Sequence, residues 1–244
     1  MSTDLTTDPT TDPSTDLGAI CRELADAGVA TVYEAAGRRG MVDVELQQLV
    51  PGTRVAGPAR VVACAQDDNF AVHRAMSVLR PGEVLVLAMP EPRAVGLVGD
   101  LLITQAKVHG AAAMLVDAAV RDVDDVRELG LPVWTRWVRV RGAHRADPGA
   151  LDVPVELGGQ PIHPGDVVVL DRDGAVVVPQ ADLARVLEAT RARLAREAGM
   201  RERLLTGELS YDIHGLREIH DQVHDAIHEE REANGQRDTE RSPR

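Results

Sequence analysis

The feature that most constrains this chain is an alternation, between residues 54 and 135, of short apolar runs with segments of helical periodicity. The apolar runs are rich in Val, Leu and Ala, and we interpret them as strands at 54–64, 84–88, 112–116 and 132–135. The segments between them are interpreted as helices at 69–79, 100–109 and 123–129. Strands that alternate with helices predict an α/β architecture.

A second pattern occupies residues 153–179. Three β-rich runs, VPVELGG, DVVVLD and GAVVVP, are separated by the turn-forming pairs Pro164-Gly165 and Asp173-Gly174. Short strands joined by tight turns predict an antiparallel β-layer in this part of the chain.

Helical patterns lie on either side of these strands. They occupy 17–27, 30–36 and 181–229. We therefore expect one α/β domain of mixed sheets, residues 17–229, with N- and C-terminal helical extensions. Residues 1–16 repeat Thr-Thr-Asp-Pro with variations and are expected to form a disordered acidic tail, while residues 230–244 are expected to form a flexible one.

The sequence shows no signal for export or for membrane insertion. The N-terminal run MSTDLTTDPTTDPSTDL lacks the basic region and apolar core of a secretory signal. No run approaches the roughly 20 apolar residues that cross a bilayer. Cys21 and Cys64 lie in apolar runs and are expected to be buried thiols. We expect a soluble, cytoplasmic protein that has no membrane partner.

Composition limits the partners further. Aromatic residues make up only 2% of the chain, which argues against stacking platforms for single-stranded nucleic acid. The formal net charge of −12 repels phosphate backbones, so no nucleic-acid partner is expected. An anionic substrate would require a local positive site.

The segment with most chemical content begins at Gly99 and Asp100. These residues start a predicted helix, whose first amides and dipole favour anions. Arg121 and Asp122 follow the apolar run AAAMLVD, where a strand end delivers side chains to a pocket. Arg121 can hold a carboxylate through two hydrogen bonds, and the two aspartates offer the oxygen ligands that Mg²⁺ or Mn²⁺ prefers. The alternative is that Asp100 caps the helix and Arg121 pairs with a surface carboxylate.

The run GDLLITQAKVHGAAAMLVDAAVRDVDDVRELGLPVW resembles the signature of the 4-hydroxy-4-methyl-2-oxoglutarate and 4-carboxy-4-hydroxy-2-oxoadipate aldolases. These aldolases share a superfamily with the regulators of ribonuclease activity. Their acid, twenty intervening residues and Arg-Asp match Asp100, Arg121 and Asp122. Further similarity lies in GVATVYEAAGRRG, PGTRVAGPARVV, the Asp68-Asn69 pair with His73, and HPGDVVVLDRDGAVVVP. The late segment REAGMRERLLTGELSYDIHGLRE resembles the aldolase branch in particular.

The resemblance implies a swivelling β/β/α-type domain, assembled as a homotrimer or homohexamer with sites at the subunit interfaces. It implies a divalent metal, Mg²⁺ or Mn²⁺, bound by Asp122 and supported by Asp100. Glu197, in the helical extension, would reach into the site of a neighbouring subunit.

The resemblance also implies how the substrate is held. Arg121 would bind the pyruvate-like carboxylate and polarise the adjacent oxygen, and the amides of Leu101 and Leu102 would bind the same carboxylate. The other substrate-binding positions that it implies are Gly99, Asn69, His73 and Glu34.

Two residues qualify this reading. The family has Gly where this chain has Ala118, and if that position requires a positive φ, Ala would strain the turn by roughly 1–2 kcal/mol. Lys107 is the only lysine, and it stands inside a predicted helix without an obvious activating neighbour. A Schiff-base aldolase would have to use it, which favours the metal route.

The function predicted is that of a metal-dependent lyase, a class II aldolase. It would cleave a 4-hydroxy-2-oxo di- or tricarboxylic acid to pyruvate and a second keto acid, and oxaloacetate decarboxylation would pass through the same enolate. One alternative is a non-catalytic binding protein similar to the regulators of ribonuclease activity. Another is a related lyase recruited to a specialised pathway.

Overall fold

Short runs of Val, Leu and Ala form the strands of the computed structural model, which describes residues 16–224. In chain order the strands are β1 (Gln47–Gln48), β2 (Val55–Ala63), β3 (Val84–Ala88), β4 (Gly96–Val98), β5 (Ala113–Val120), β6 (Val133–Val138), β7 (Ala150–Leu151), β8 (Val155–Leu157), β9 (Gln160–Ile162), β10 (Val167–Asp171) and β11 (Gly174–Val178). Within the described residues, nine of them join in one sheet, and β8 and β9 pair only with each other.

The helices flank these strands in the chain. They are α1 (Leu17–Ala27), α2 (Val29–Ala35), α3 (Phe70–Ala75), α4 (Asp100–Val108), α5 (Val123–Leu129), α6 (Leu183–Leu205) and α7 (Ser210–Ile213). The chain divides into two compact units, 1–193 and 194–244. All strands of the described residues belong to the first unit, and the described part of the second is helical apart from short turns. None of the helices in residues 16–224 has the length and apolar character needed to cross a membrane.

Four parallel strands form the middle of the sheet, in the order β6-β5-β3-β2. Each successive pair along the chain is connected through a helix, α3, α4 or α5. The sheet continues beyond β2 with antiparallel β10 and β11, and antiparallel β1 covers the opposite edge. Short β4 adds to the carboxyl-terminal half of β5 in parallel orientation. The α/β architecture with mixed strand directions is therefore confirmed.

The two faces of the sheet belong to different cores, as the period-two alternation of strands requires. Leu85 and Leu87 of β3 pack in the cluster that includes α3, α4 and α5. Val84 and Val86 of the same strand face the other way, into a cluster with Trp134 and the β8–β9 hairpin. A third cluster packs α1, α2 and α6 on β10 and β11. Aliphatic side chains make up most of all three clusters, which agrees with the low aromatic content.

The sequence locates most elements closely. The bounds of α1, β3 and α5 are those predicted, and helical extensions are present at both ends of the strand-bearing region. The prediction for residues 153–179 needs a correction, because its three runs do not form one layer. The second and third form the β10–β11 hairpin, which joins the main sheet, whereas the first pairs with β9, a strand that the sequence pattern did not reveal. The predicted tails lie outside the described residues, apart from residue 16, and the boundaries of a single domain at 17–229 stay a prediction.

The expectation of strain at Ala118 is wrong. Strand β5 continues four residues beyond its predicted end at Val116, so Ala118 lies inside the strand with 0% exposure. It is not among the positive-φ residues, whereas Asp122 is, at φ 57°. The register between β5 and β6 shifts between Val116 and Ala119. Pairing of β5 with β6 resumes after this irregularity and continues to Val120, so Arg121 directly follows the end of the strand.

We therefore predict that Ala118→Gly lowers the free energy of unfolding, by about 1 kcal/mol, because Gly in an extended strand loses more backbone entropy than Ala. Urea denaturation of the variant and the wild type measures the difference. Ala119→Gly, in the same strand, should show a similar loss. An increase in stability in Ala118→Gly alone would show that this position favours the left-handed region after all.

Candidate active site

The parallel pairing of β4 with β5 brings the two sequence motifs together. Val98, the last residue of β4, pairs with Val120, the last residue of β5. Gly99 and Asp100 therefore leave the sheet into α4 beside Arg121 and Asp122, which leave it toward α5. Because the carboxyl ends of parallel strands lie at one edge of a sheet, two motifs separated by 20 intervening residues in the chain face the same space.

Asp122 connects the two turns. Its Oδ2 atom lies 3.4 Å from the backbone nitrogen of Asp100 and 3.3 Å from Nε of Arg121. Asp122 adopts a left-handed conformation, φ 57° and ψ 44°, which is uncommon for a residue other than glycine. Such strain persists only where the surroundings fix it, and it is frequent at functional sites. Here it accompanies a carboxylate that faces the first turn of the neighbouring helix.

Glycines give Arg121 and Asp122 their space. A Cβ atom on Gly99 would overlap Oδ2 of Asp122 and lie 3.0 Å from Nε of Arg121. A Cβ atom on Gly142 would lie 3.2 Å from Nη1 of Arg121. The sequence pointed to Gly99 but not to Gly142, which stands in a loop that carries no recognisable motif.

A cavity of about 170 Å³ opens at this edge of the sheet. The predicted site residues among its lining are Asn69, His73, Gly99, Asp100, Leu101, Leu102 and Arg121. Asp122 lies next to them through its contacts with Arg121 and the Asp100 amide. The structure thus brings together all but two of the predicted site residues.

Glu34 and Glu197 are the two that it does not bring to the cavity. Glu34 lies on α2, where its carboxylate accepts hydrogen bonds of 3.2 Å from Nε of Arg38. Glu197 lies on α6, in the second compact unit. All lining residues of the cavity come from the first unit. The functional assignments of these two glutamates stay predictions.

Asn69 supplies a buried polar atom in the cavity wall. The residue is only 7% exposed, and its Nδ2 donates to the carbonyl of Leu97 at 2.9 Å. Its Oδ1 is buried and has no hydrogen-bond partner in the described residues. A buried acceptor without a donor costs about 1–3 kcal/mol, so the atom is suited to accept a hydrogen bond from a ligand.

His73, in the last turn of α3, is adapted to be uncharged. The residue is exposed, but partial burial of its imidazole lowers the pKa below the ordinary 6.5, and the positive charge of Arg145 lowers it further. A neutral imidazole can accept a proton at neutral pH. Arg145 also lines the cavity, and the sequence analysis did not identify it. The only available signal was the basic run RVRGAHR, which has no functional spacing.

Asp68 holds the loop that carries Arg145. Its Oδ2 accepts the backbone N–H groups of Ala146 at 2.6 Å and Asp147 at 3.2 Å, and its Oδ1 accepts that of Phe70 at 2.8 Å. Burial alone would raise the pKa of Asp68, but these three donors reverse the direction and lower it. The carboxylate is therefore ionised at neutral pH and fixes the loop beside Asn69.

The oxygen ligands suit a hard cation with a partly hydrated shell. Residues 16–224 contain no group of three or more His, Cys, Asp or Glu that could hold a metal ion. Zinc sites require such groups, whereas Mg²⁺ is usually bound by one or two carboxylates and keeps several waters. Asp100 and Asp122, on adjacent turns, meet this smaller requirement. The long contacts of Asp122 Oδ2, 3.3 and 3.4 Å, leave it available as a ligand.

The other nucleophile candidates are remote from the cavity or unreactive. Lys107 lies near the end of α4 and donates to the carbonyl of Leu129. Cys21 and Cys64 are buried free thiols, as predicted, and burial raises their pKa values to about 11 and about 12. None of the three lines the cavity, so covalent catalysis there would have no described lysine or cysteine to use.

The sheet edge of this α/β protein presents a helix N-terminus, an arginine and two carboxylates, and the first two are groups suited to bind a small anion. The chain belongs to the RraA-like family, since the family model described as Aldolase/RraA matches residues 22–177. The resemblance predicted from the motifs is thus confirmed.

Individual relatives carry two kinds of name. The chain is 34% identical over 161 residues to a Halalkalibacterium halodurans protein named "Putative 4-hydroxy-4-methyl-2-oxoglutarate aldolase", covering 66% of this chain and 76% of the relative. It is 34% identical to Streptomyces coelicolor RraAS2, described as an unusual member of the RNase ES inhibitor RraA protein family, with a TM-score of 0.68 over 75% of this chain and 96% of the other. The RNA-processing inhibitor RraA from Thermus thermophilus shows 26% identity and a TM-score of 0.52, over 58% and 84%. The predicted swivelling β/β/α-type fold is thereby confirmed.

The geometry around His73 leads to a direct prediction. Replacing Arg145 with Gln removes one of the two causes that lower the pKa of His73, so the pKa should rise but stay below 6.5, because burial remains. Titration of the His73 ring by NMR, assigned with a His73→Gln variant, measures this change. Arg141→Gln is the matched control, since Arg141 is exposed in the same loop and does not line the cavity. An unchanged His73 pKa in Arg145→Gln would contradict the arrangement.

Proposed function

We propose that this cavity is the active site of a metal-dependent carbon–carbon lyase. Its substrate is a 4-hydroxy-2-oxo di- or tricarboxylic acid, which it cleaves to pyruvate and a second oxo acid. The observation that carries the proposal is the convergence of Arg121, the free amides at the start of α4 and the unpartnered Asn69 oxygen on one small cavity. The name of the Halalkalibacterium halodurans relative supports the same reaction class.

Arg121 and α4 hold the pyruvate-like end of the substrate. The Nη nitrogens of Arg121 make no hydrogen bond within residues 16–224, so they can donate in parallel to the C1 carboxylate. The amides of Leu101 and Leu102 belong to the first turn of α4 and have no partner inside the helix, so they donate to the same group. The guanidinium also polarises the C2 oxygen, where negative charge develops during cleavage.

The remaining wall acts on the C4 hydroxyl. Asn69 Oδ1 accepts its hydrogen bond and orients it, and the neutral His73 takes its proton. As C4 becomes a carbonyl, the C3–C4 bond breaks and its electron pair forms the pyruvate enolate, whose oxygen Arg121 stabilises. Return of the proton to C3 gives pyruvate. Loss of carbon dioxide from oxaloacetate produces the same enolate, so decarboxylation is proposed as a second activity.

Asp100 and Asp122 are the residues that would hold Mg²⁺ or Mn²⁺. When bound there, the cation supplies Lewis-acid stabilisation of the enolate. The left-handed conformation of Asp122 and the missing side chain of Gly99 fix the two carboxylates on adjacent turns, so the chain itself preorganises the ligands.

We propose further that the chain assembles as a homotrimer or homohexamer. Residues 194–224 expose many large apolar side chains, namely Leu194, Leu204, Leu205, Leu209, Leu216, Ile219 and Val223. A second copy of the chain would remove this surface from water. In such an assembly Glu197 would complete the metal site of a neighbouring subunit, and Glu34, which lies outside the cavity, would contribute in the same way.

The test is pyruvate release from 4-hydroxy-4-methyl-2-oxoglutarate and from oxaloacetate, with Mg²⁺, with Mn²⁺ and with a chelator. Arg121→Ala should lose at least about a hundredfold in kcat/KM, because it removes a donor to the developing oxyanion. Asp122→Asn should lose activity together with its dependence on added metal. Arg141→Gln should retain activity. Turnover that Arg121→Ala leaves intact, or no turnover with any metal, would contradict the proposal.

A second function is favoured by the solved relatives. Streptomyces coelicolor RraAS2 and Thermus thermophilus RraA bear names that refer to inhibition of RNA processing. A regulator would use the same fold without turnover. It would slow RNA cleavage by RNase ES whether or not a chelator is present, and Arg121→Ala would leave that inhibition unchanged.

A further inference from the structure

Arg145 is the charged residue of the cavity that the proposed reaction does not use. It lies in the loop between β6 and β7 and lines the same cavity as Asp100 and Arg121. Its side chain forms no ion pair or hydrogen bond within residues 16–224. A protein with 39 acidic and 27 basic residues has many carboxylates that could neutralise an arginine. An arginine in a cavity wall that pairs with none of the described carboxylates is therefore available to bind a ligand.

The loop that carries Arg145 is held in place from both sides. The backbone nitrogen of His144 donates to Asp67 at 2.8 Å, and its carbonyl accepts from the backbone of Asn69 at 2.9 Å. On the other side, the Asp68 carboxylate accepts the amides of the next two residues. Asp68 is only 4% exposed, so the accepting end of these bonds is buried although the loop residues that donate are exposed. Arg145 is thus presented by a preorganised segment, although its own side chain is exposed.

The charge of Arg145 acts inside the cavity. It is one of the causes that lower the pKa of His73, whose side chain lines the same wall. Asn69, the residue with the unpartnered buried oxygen, is bonded directly to the Arg145 loop. The cavity therefore has two separate cationic groups, Arg121 at the strand ends and Arg145 on the loop, with a hydroxyl-binding wall supplied by Asn69 and His73.

We propose that Arg145 binds the second carboxylate of the substrate, the one distant from the 2-oxo group, and so selects dicarboxylic and tricarboxylic over monocarboxylic oxo acids. This inference rests on the proposed function, in which Arg121 holds the first carboxylate. A guanidinium pairs with a carboxylate through two hydrogen bonds and is always charged, so it distinguishes a carboxylate from a methyl or a hydroxyl group. Arg145 is then a specificity-determining residue.

The test measures binding without turnover. Pyruvate carries one carboxylate, and 2-oxoglutarate carries two but lacks the 4-hydroxyl group that retro-aldol cleavage requires. Both are titrated by calorimetry into the full chain in the presence of Mg²⁺. Arg145→Gln should lower the affinity for 2-oxoglutarate by about tenfold or more, because only the longer acid reaches the loop. The affinity for pyruvate should change by less than about twofold. Arg145→Lys should recover part of the affinity.

Two further variants separate the outcomes. Arg121→Ala should lower the affinity for both acids, and Arg141→Gln should change the affinity for neither. In one outcome, Arg145→Gln binds 2-oxoglutarate as tightly as the wild type while Arg121→Ala no longer binds either acid. That result overturns the role of Arg145 and leaves the proposed function standing. If Arg145→Gln lowers the affinity for both acids equally, the proposed selection by Arg145 is also overturned. If the wild type binds neither acid, the proposed function fails and this inference fails with it.

Discussion

The parallel pairing of β4 with β5 is the constraint on which the site depends. Only three residues long, β4 places the α4 N-terminus beside the end of a strand that is buried along its whole length. Because Val98 pairs with Val120, Asp122 Oδ2 can contact the Asp100 amide across the turns. The left-handed backbone of Asp122 and the absence of a side chain on Gly99 are local consequences of this close approach.

The electrostatic arrangement of the cavity is local rather than global. The chain carries a formal net charge of −12, which opposes the entry of an anion. Arg121, Arg145 and the first amides of α4 act at short range, where a nearby charge outweighs distant charges that salt screens. The cavity is small, about 170 Å³, so a ligand that fits would be close to several of these donors at once.

The features of the structure that could be predicted from the sequence are those that depend on hydrophobic periodicity and on recognisable motifs. Strands and helices of the α/β region were located because aliphatic runs are short and helical segments lie between them. Arg121 and Asp122 were found because they follow an apolar run and because the family resemblance matches their spacing from Asp100. Arg145 and Gly142 were not found as parts of the site, because the loop before β7 meets the α3 region through tertiary contacts that no spacing in the chain reveals. The error at Ala118 has a similar origin, since the length of β5 depends on its pairing with β6.

The most direct test of the central claim is a crystal structure of the full chain with Mn²⁺ and oxalate, a planar analogue of the pyruvate enolate. The account predicts an anomalous Mn²⁺ peak beside Asp100 and Asp122, and an oxalate carboxylate on the Arg121 guanidinium and the amides of Leu101 and Leu102. A Mn²⁺ peak remote from both aspartates, or oxalate bound without contact to Arg121, would contradict the assignment of this cavity as an oxo-acid lyase site.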